Sequence, residues 1–193
     1  PPISTLFPYT TLFRSGRLNT PDEDVPEVAK QLNALYASEA SDGVVAFMGH
    51  GNPDKYDTFK ANVRYTQLEE ALQKYNANYF VGTVDMKDNF KQDVMARMEE
   101  KGITSGKVYL HALMSIAGDH AHNDMAGQGD EYWDPEDPES EDNSWYEYFN
   151  HNGFESNVPL SGNHPLGLLE LPGVLHVWIN HDQIGRAVQQ ECR

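Results

Sequence analysis

A single cysteine, Cys192, stands among the 193 residues. That rules out an intrachain disulfide framework and fits a reducing compartment. Cationic side chains are scarce: 14 Lys and Arg face 30 Asp and Glu, for a formal charge of -16. This balance argues against nucleic acid as a partner, because neutralising phosphates needs clustered Lys and Arg. No apolar run approaches the roughly 18–20 residues of a membrane span, so no membrane is expected. No signal peptide is visible, which points to the cytoplasm. Neither a Walker A sequence nor a GxGxxG after an apolar run is present, and nucleotide binding has no support. Internal repeats are not evident. The length suits one domain of ordinary size.

Three short apolar runs carry the organisation. Val44-Val45-Ala46-Phe47-Met48 ends in Gly49-His50-Gly51. Tyr79-Phe80-Val81-Gly82-Thr83-Val84 ends in Asp85. The third run, to Leu113-Met114, passes into a glycine-broken turn holding Asp119, His120, His122 and Asp124. A buried strand that gives way abruptly to ionisable residues is the signature of the carboxyl edge of an open α/β sheet, where such sheets bind ligands.

The spacing between these runs is helical. Val25, Val28, Leu32, Leu35 and Tyr36 predict an amphipathic helix to about Ser38. A second helix is predicted over 58–75, with Val63, Leu68, Ala71 and Leu72 inward and Glu69, Glu70 and Lys74 wet. A third is predicted over 90–101, with Gly102 as its stop. Strands are expected over 44–48, 79–84, 107–114 and 153–160. A short helix is expected to run to His151 and a last one to start at Pro172. The fold class is therefore α/β: an open parallel sheet with helices on both faces. The acidic stretch 130–142, with Pro135 and Pro138, is expected to be an exposed loop. Residues 1–17 and 182–193 lack periodicity or resemble adapter read-through and are expected to be a non-native leader and tail. That leaves 18–181 as the natural domain. With the true amino terminus then missing, a periplasmic location stays open.

Three ionisable groups, about one βα unit apart, are expected to meet at one sheet edge: His50, Asp85 and His120. Two imidazoles and a carboxylate suit a divalent first-row metal with positions left open. His122, two residues on, is the alternative to His120, and Asp85 reads equally as a strand-end carboxylate or helix cap.

These residues resemble the anaerobic cobalt chelatases of the CbiK type, which insert Co2+ into sirohydrochlorin during cobalamin synthesis. The likeness covers about Gly43 to His181. It rests on Phe47-Met48-Gly49-His50-Gly51, Val81-Gly82-Thr83-Val84-Asp85, the run from Ala117 to Ala126, Asn143-Ser144-Trp145, and Gly167-Leu168-Leu169-Glu170-Leu171-Pro172. What the resemblance implies is a class II chelatase-like half-domain, the carboxyl-terminal of two similar α/β halves around a tetrapyrrole cleft. It implies a lyase whose metal is held by His50, Asp85 and His120, with His50 and His120 catalytic. It places substrate contacts on Met48, Gly49, Ala117, Gly118 and Glu170. Asp85 departs from the family's glutamate by one methylene. Co2+ is the implied metal, with Fe2+ or Ni2+ as alternatives, and sirohydrochlorin the implied partner. A homo-oligomer is left open. A non-catalytic metal- or haem-binding module is the rival reading.

Overall fold

A computed structural model describes residues 21–57 and 60–176. The expected leader and tail, the predicted start of the second helix at Thr58, and the stretch to His181 lie outside the described residues.

Four strands form one sheet: β1 (Val44–Gly49), β2 (Tyr79–Thr83), β3 (Gly106–Ala112) and β4 (Phe154–Asn157). All pairings are parallel and the order is β2-β1-β3-β4. In register, Met48 of β1 lies between Gly82 and Ala112. Every residue of β1 and β2 is buried, as the unbroken apolar runs require of strands covered on both faces. The alternation of side chains then splits the core in two. Val45, Phe47, Tyr79 and Val81 pack against α1 (Pro21–Asp42) and α2 (Val63–Gln73). Val44, Ala46, Met48 and Phe80 pack against α3 (Lys91–Glu100) and α4 (Trp145–His151). This is the expected α/β architecture, with helices on both faces.

Several boundaries and faces differ from expectation. Val63 is exposed, not inward. Glu69, expected on the wet face of α2, turns back to the edge strand. It accepts the Val81 N–H at 2.7 Å and takes a bidentate pair from Arg97, both contacts at 3.0 Å. Arg97 in turn donates to the Val81 carbonyl at 3.0 Å. The two side chains satisfy the outward-facing main chain of Val81 in the edge strand β2, which would otherwise invite another strand. The fourth strand is only Phe154–Asn157. Beyond it lies a small antiparallel pair, β5 (Leu160–Ser161) with β6 (His164–Pro165). Residues 172–176 are helical, as the proline predicts.

The stretch 130–142 is irregular and mostly exposed apart from a short turn at Asp130–Tyr132. It is nonetheless tied down. The Trp133 ring stacks on His151 at 3.9 Å, and Asn143 donates to the carbonyls of Asp137 and Pro138 at 3.0 Å each.

Candidate metal site at the sheet switch point

The strand order decides which loop ends meet. From β1 the chain crosses to β2 on one side, then returns past β1 to β3 and continues outward to β4. Connections therefore leave β1 and β3 in opposite directions, opening a crevice above their carboxyl ends. His50 follows β1 and the His120 segment follows β3, so both histidines border that crevice. Asp85 follows β2, on the other flank of β1.

Backbone pairing that continues past the strands sets these positions. The Val84 and Asp85 amides donate to the His50 carbonyl at 3.2 and 2.9 Å, drawing Asp85 alongside His50. On the opposite flank, the Leu113 amide donates to the Met48 carbonyl at 2.8 Å. The loop after His50 needs glycine at 51: φ is +75°, and a Cβ there would sit 2.8 Å from the Met86 nitrogen. Tyr65 anchors the same loop from below, accepting the Gly51 N–H at 3.2 Å. Burial pushes its phenol up to about 12. Asn62 clasps Asn52, accepting its amide at 3.0 Å and donating to its carbonyl at 2.7 Å.

Beyond β3 the chain forms a π-helical turn, Ala121–Met125, pinned by the buried Ala121 and Met125 side chains. The turn places His120 and Asp124 on one side, where the Asp124 carboxylate accepts from His120 Nδ1. The His120 ring meets the His50 ring edge-on, 4.6 Å between centroids at 89°. His50 Nδ1 lies 3.2 Å from Asp85 Oδ2 and 3.0 Å from the Gly51 carbonyl. Both oxygens accept, so Nδ1 carries the proton and the lone pair falls on Nε2. The same reasoning puts the His120 lone pair on Nε2. Two Asp–His pairs thus stand face to edge across the switch point.

Of the expected trio, the structure brings His50 to both Asp85 and His120. Among the described residues, though, no group of three His, Cys, Asp or Glu is gathered so as to hold one ion. Asp85 addresses the His50 ring instead of converging with the two imidazoles. His122 is exposed, and the ring that meets His50 is that of His120. Asp124 is the residue that sequence reasoning left without a role. Its signal was available in the i, i+4 spacing from His120.

The expected substrate contacts divide. The Met48 side chain is fully buried in the core, and only its main chain reaches the edge. Gly49 is a packing glycine, since a Cβ there would lie 2.3 Å from the Tyr65 ring. Ala117 is partly buried, while Gly118 is exposed with open space where a side chain would project. Beside them Ile116 is 74% exposed, an apolar side chain presented to solvent at the site's margin. Glu170 sits in a short turn, Leu168–Glu170, whose backbone pairs with Met114 and Ser115. The Gly167 N–H and the nearby His164 hold its carboxyl below the usual range.

A cavity of about 200 Å³ opens beside His120, with Asp85, Asp124, Glu141 and Asp142 in its lining, and Lys91 as the one Lys or Arg among them. No helix among the described residues is long and apolar enough to cross a membrane.

Two comparisons bear on this arrangement. A family model described as cobalt chelatase (CbiK) matches residues 10–184. The protein described as sirohydrochlorin cobaltochelatase CbiKC, from Nitratidesulfovibrio vulgaris, is 26% identical over 153 residues, 79% of this chain and 45% of that relative. The chain thus spans a little under half the length of that relative.

Proposed function

For this chain, which belongs to the cobalt chelatase (CbiK) family, we propose metal insertion into a sirohydrochlorin-type tetrapyrrole, with Co2+ as the metal. His50 and His120 take the cation through their Nε2 atoms, and Asp85 and Asp124 hold the rings from behind. The observation that carries this reading is the edge-to-face pair of histidines at the switch point, each backed by its own carboxylate.

The stoichiometry of insertion fits two such pairs. A divalent cation enters the macrocycle as two pyrrole N–H bonds break, so two protons leave for each metal bound. A carboxylate on Nδ1 fixes the tautomer and the orientation of an imidazole. Each histidine can therefore hold the metal in its neutral form and take a proton once the metal has moved on to the pyrrole nitrogens. Two imidazoles leave most of the coordination shell open, as a site must if it gives its metal away. Exposed Ile116 and the uncovered backbone at Gly118 offer an apolar rest for the flat face of the ring.

Nitrogen donors alone do not separate Co2+ from Fe2+ or Ni2+. Competition among the three ions, followed by the visible spectrum of the tetrapyrrole, identifies the preferred one. The proposal itself is tested with His50→Ala and His120→Ala. Each should lose most Co2+ insertion, and undiminished insertion in both variants overturns it.

A further inference from the structure

A buried lysine in a chain of charge -16 calls for a reason, because removing an ammonium from water is costly unless its protons are placed. Lys91, at the start of α3, is 4% exposed. Its Nζ donates to the carbonyls of Ser140 and Glu141 at 2.9 and 3.3 Å, and lies 5.7 Å from the centre of the Tyr148 ring. The next residue adds a parallel tie, Gln92 Nε2 donating to the Glu139 carbonyl at 2.8 Å. Burial pushes the Lys91 ammonium down, and Glu141, Glu139, Asp124 and Asp142 push it back up. All three ties go to main-chain carbonyls. They fix the path of 139–141 while leaving the carboxylates of Glu141 and Asp142 to line the cavity beside His120.

We propose that Lys91 is a positioning residue for metal uptake: it latches segment 139–142 so that Glu141 and Asp142 face Asp85, Asp124 and His120 across the cavity. This rests on the reading that the two histidines receive the metal. The carboxylates are assigned no ligand bond. They set the field through which the cation arrives. Four carboxylates against one ammonium attract a divalent cation and repel a macrocycle that carries carboxylates of its own. The cavity is therefore the metal's approach, and the tetrapyrrole does not enter by it.

The sign of one substitution separates this from a plain charge effect. Lys91→Met removes a positive charge close to the site, which by itself would tighten Co2+ binding. The latch predicts the opposite. Co2+ dissociation constants are measured by equilibrium dialysis on the intact protein at low and high NaCl, with amide exchange followed over 137–142. Lys91→Met should weaken Co2+ binding about tenfold at low salt and speed exchange in that segment, with the difference in affinity closing at high salt. The pair Glu141→Gln with Asp142→Asn should lose affinity to the same degree while the segment stays protected. All three changes together should bind no more weakly than that pair. Should Lys91→Met fail to fold, Gln92→Ala removes the neighbouring tie, and a smaller loss of the same kind is expected. Co2+ affinity equal to or tighter than wild type in both latch variants, or losses that add in full, overturns the proposal. A wild-type protein that binds no Co2+ overturns it along with the chelatase reading. One that binds Co2+ and never inserts it refutes only the latter.

Discussion

Replacing Asp124 tests whether the carboxylates behind the histidines tune the site. Asp124→Asn keeps an oxygen that can accept from His120 Nδ1, so the tautomer survives while the negative charge is lost. The carboxylate faces Nε2 across the ring, a span of about 5 Å from one hydrogen bond plus the width of an imidazole. At that range two unit charges interact by roughly 1 kcal/mol in a water-like medium and about 3 kcal/mol at an effective dielectric constant of 20. With side chains 47% and 40% exposed, the lower figure applies, a factor of about five per unit charge. Asp124→Ala also releases the ring, and loss of such a partner ordinarily costs 10- to 100-fold in metal affinity or activity. The expected order in Co2+ insertion is thus wild type, then Asn down by about fivefold, then Ala lower still. Initial rates are read from the tetrapyrrole's visible bands at saturating and limiting Co2+. Both variants falling within twofold of wild type would refute the reasoning and leave Asp124 as a surface acid.

The edge clamp and the buried phenols give two further expectations. Arg97→Ala strips the bidentate partner from Glu69, whose side chain is only 13% exposed, and leaves the Val81 carbonyl without its donor. A loss of about 2–4 kcal/mol is expected by urea unfolding, whereas a loss under about 0.5 kcal/mol would mean the clamp is ornamental. Tyr36, Tyr65, Tyr79 and Tyr148 are each pushed up to about 12, chiefly by burial. Because the folded value exceeds the unfolded one near 10, their stabilisation is whole below pH 10 and is lost as the pH rises towards 12. Tyr65 alone accounts for roughly 3 kcal/mol of it. Phenolate absorbance from these four should therefore appear only with cooperative unfolding. A single smooth titration near pH 10 in a still-folded protein would contradict their burial.

The sequence by itself determined the parts. Unbroken apolar runs at 44–48 and 79–83 dictate strands covered on both faces, because only such strands can dispense with polar residues. Helical periodicity between them dictates the crossovers, and parallel pairing follows. That His50 and Asp85 stand at strand ends, and that an ionisable turn at 119–124 follows the third run, was equally legible in the order of residues. Which of those ends are neighbours was not. Periodicity carries no information on strand order. Only the β2-β1-β3-β4 arrangement, which sends the chain out of β1 and β3 in opposite directions, brings those two ends together, and only the turn at Ala121–Met125 presents His120, not His122, to the His50 ring. Tertiary structure likewise turned Asp85 onto the back of an imidazole and drew Glu69 off the solvent face of its helix to the bare edge of β2. In each case a polar group's hydrogen-bonding demand is met by a residue on another element or another turn. A one-dimensional pattern records that demand without saying where it is answered.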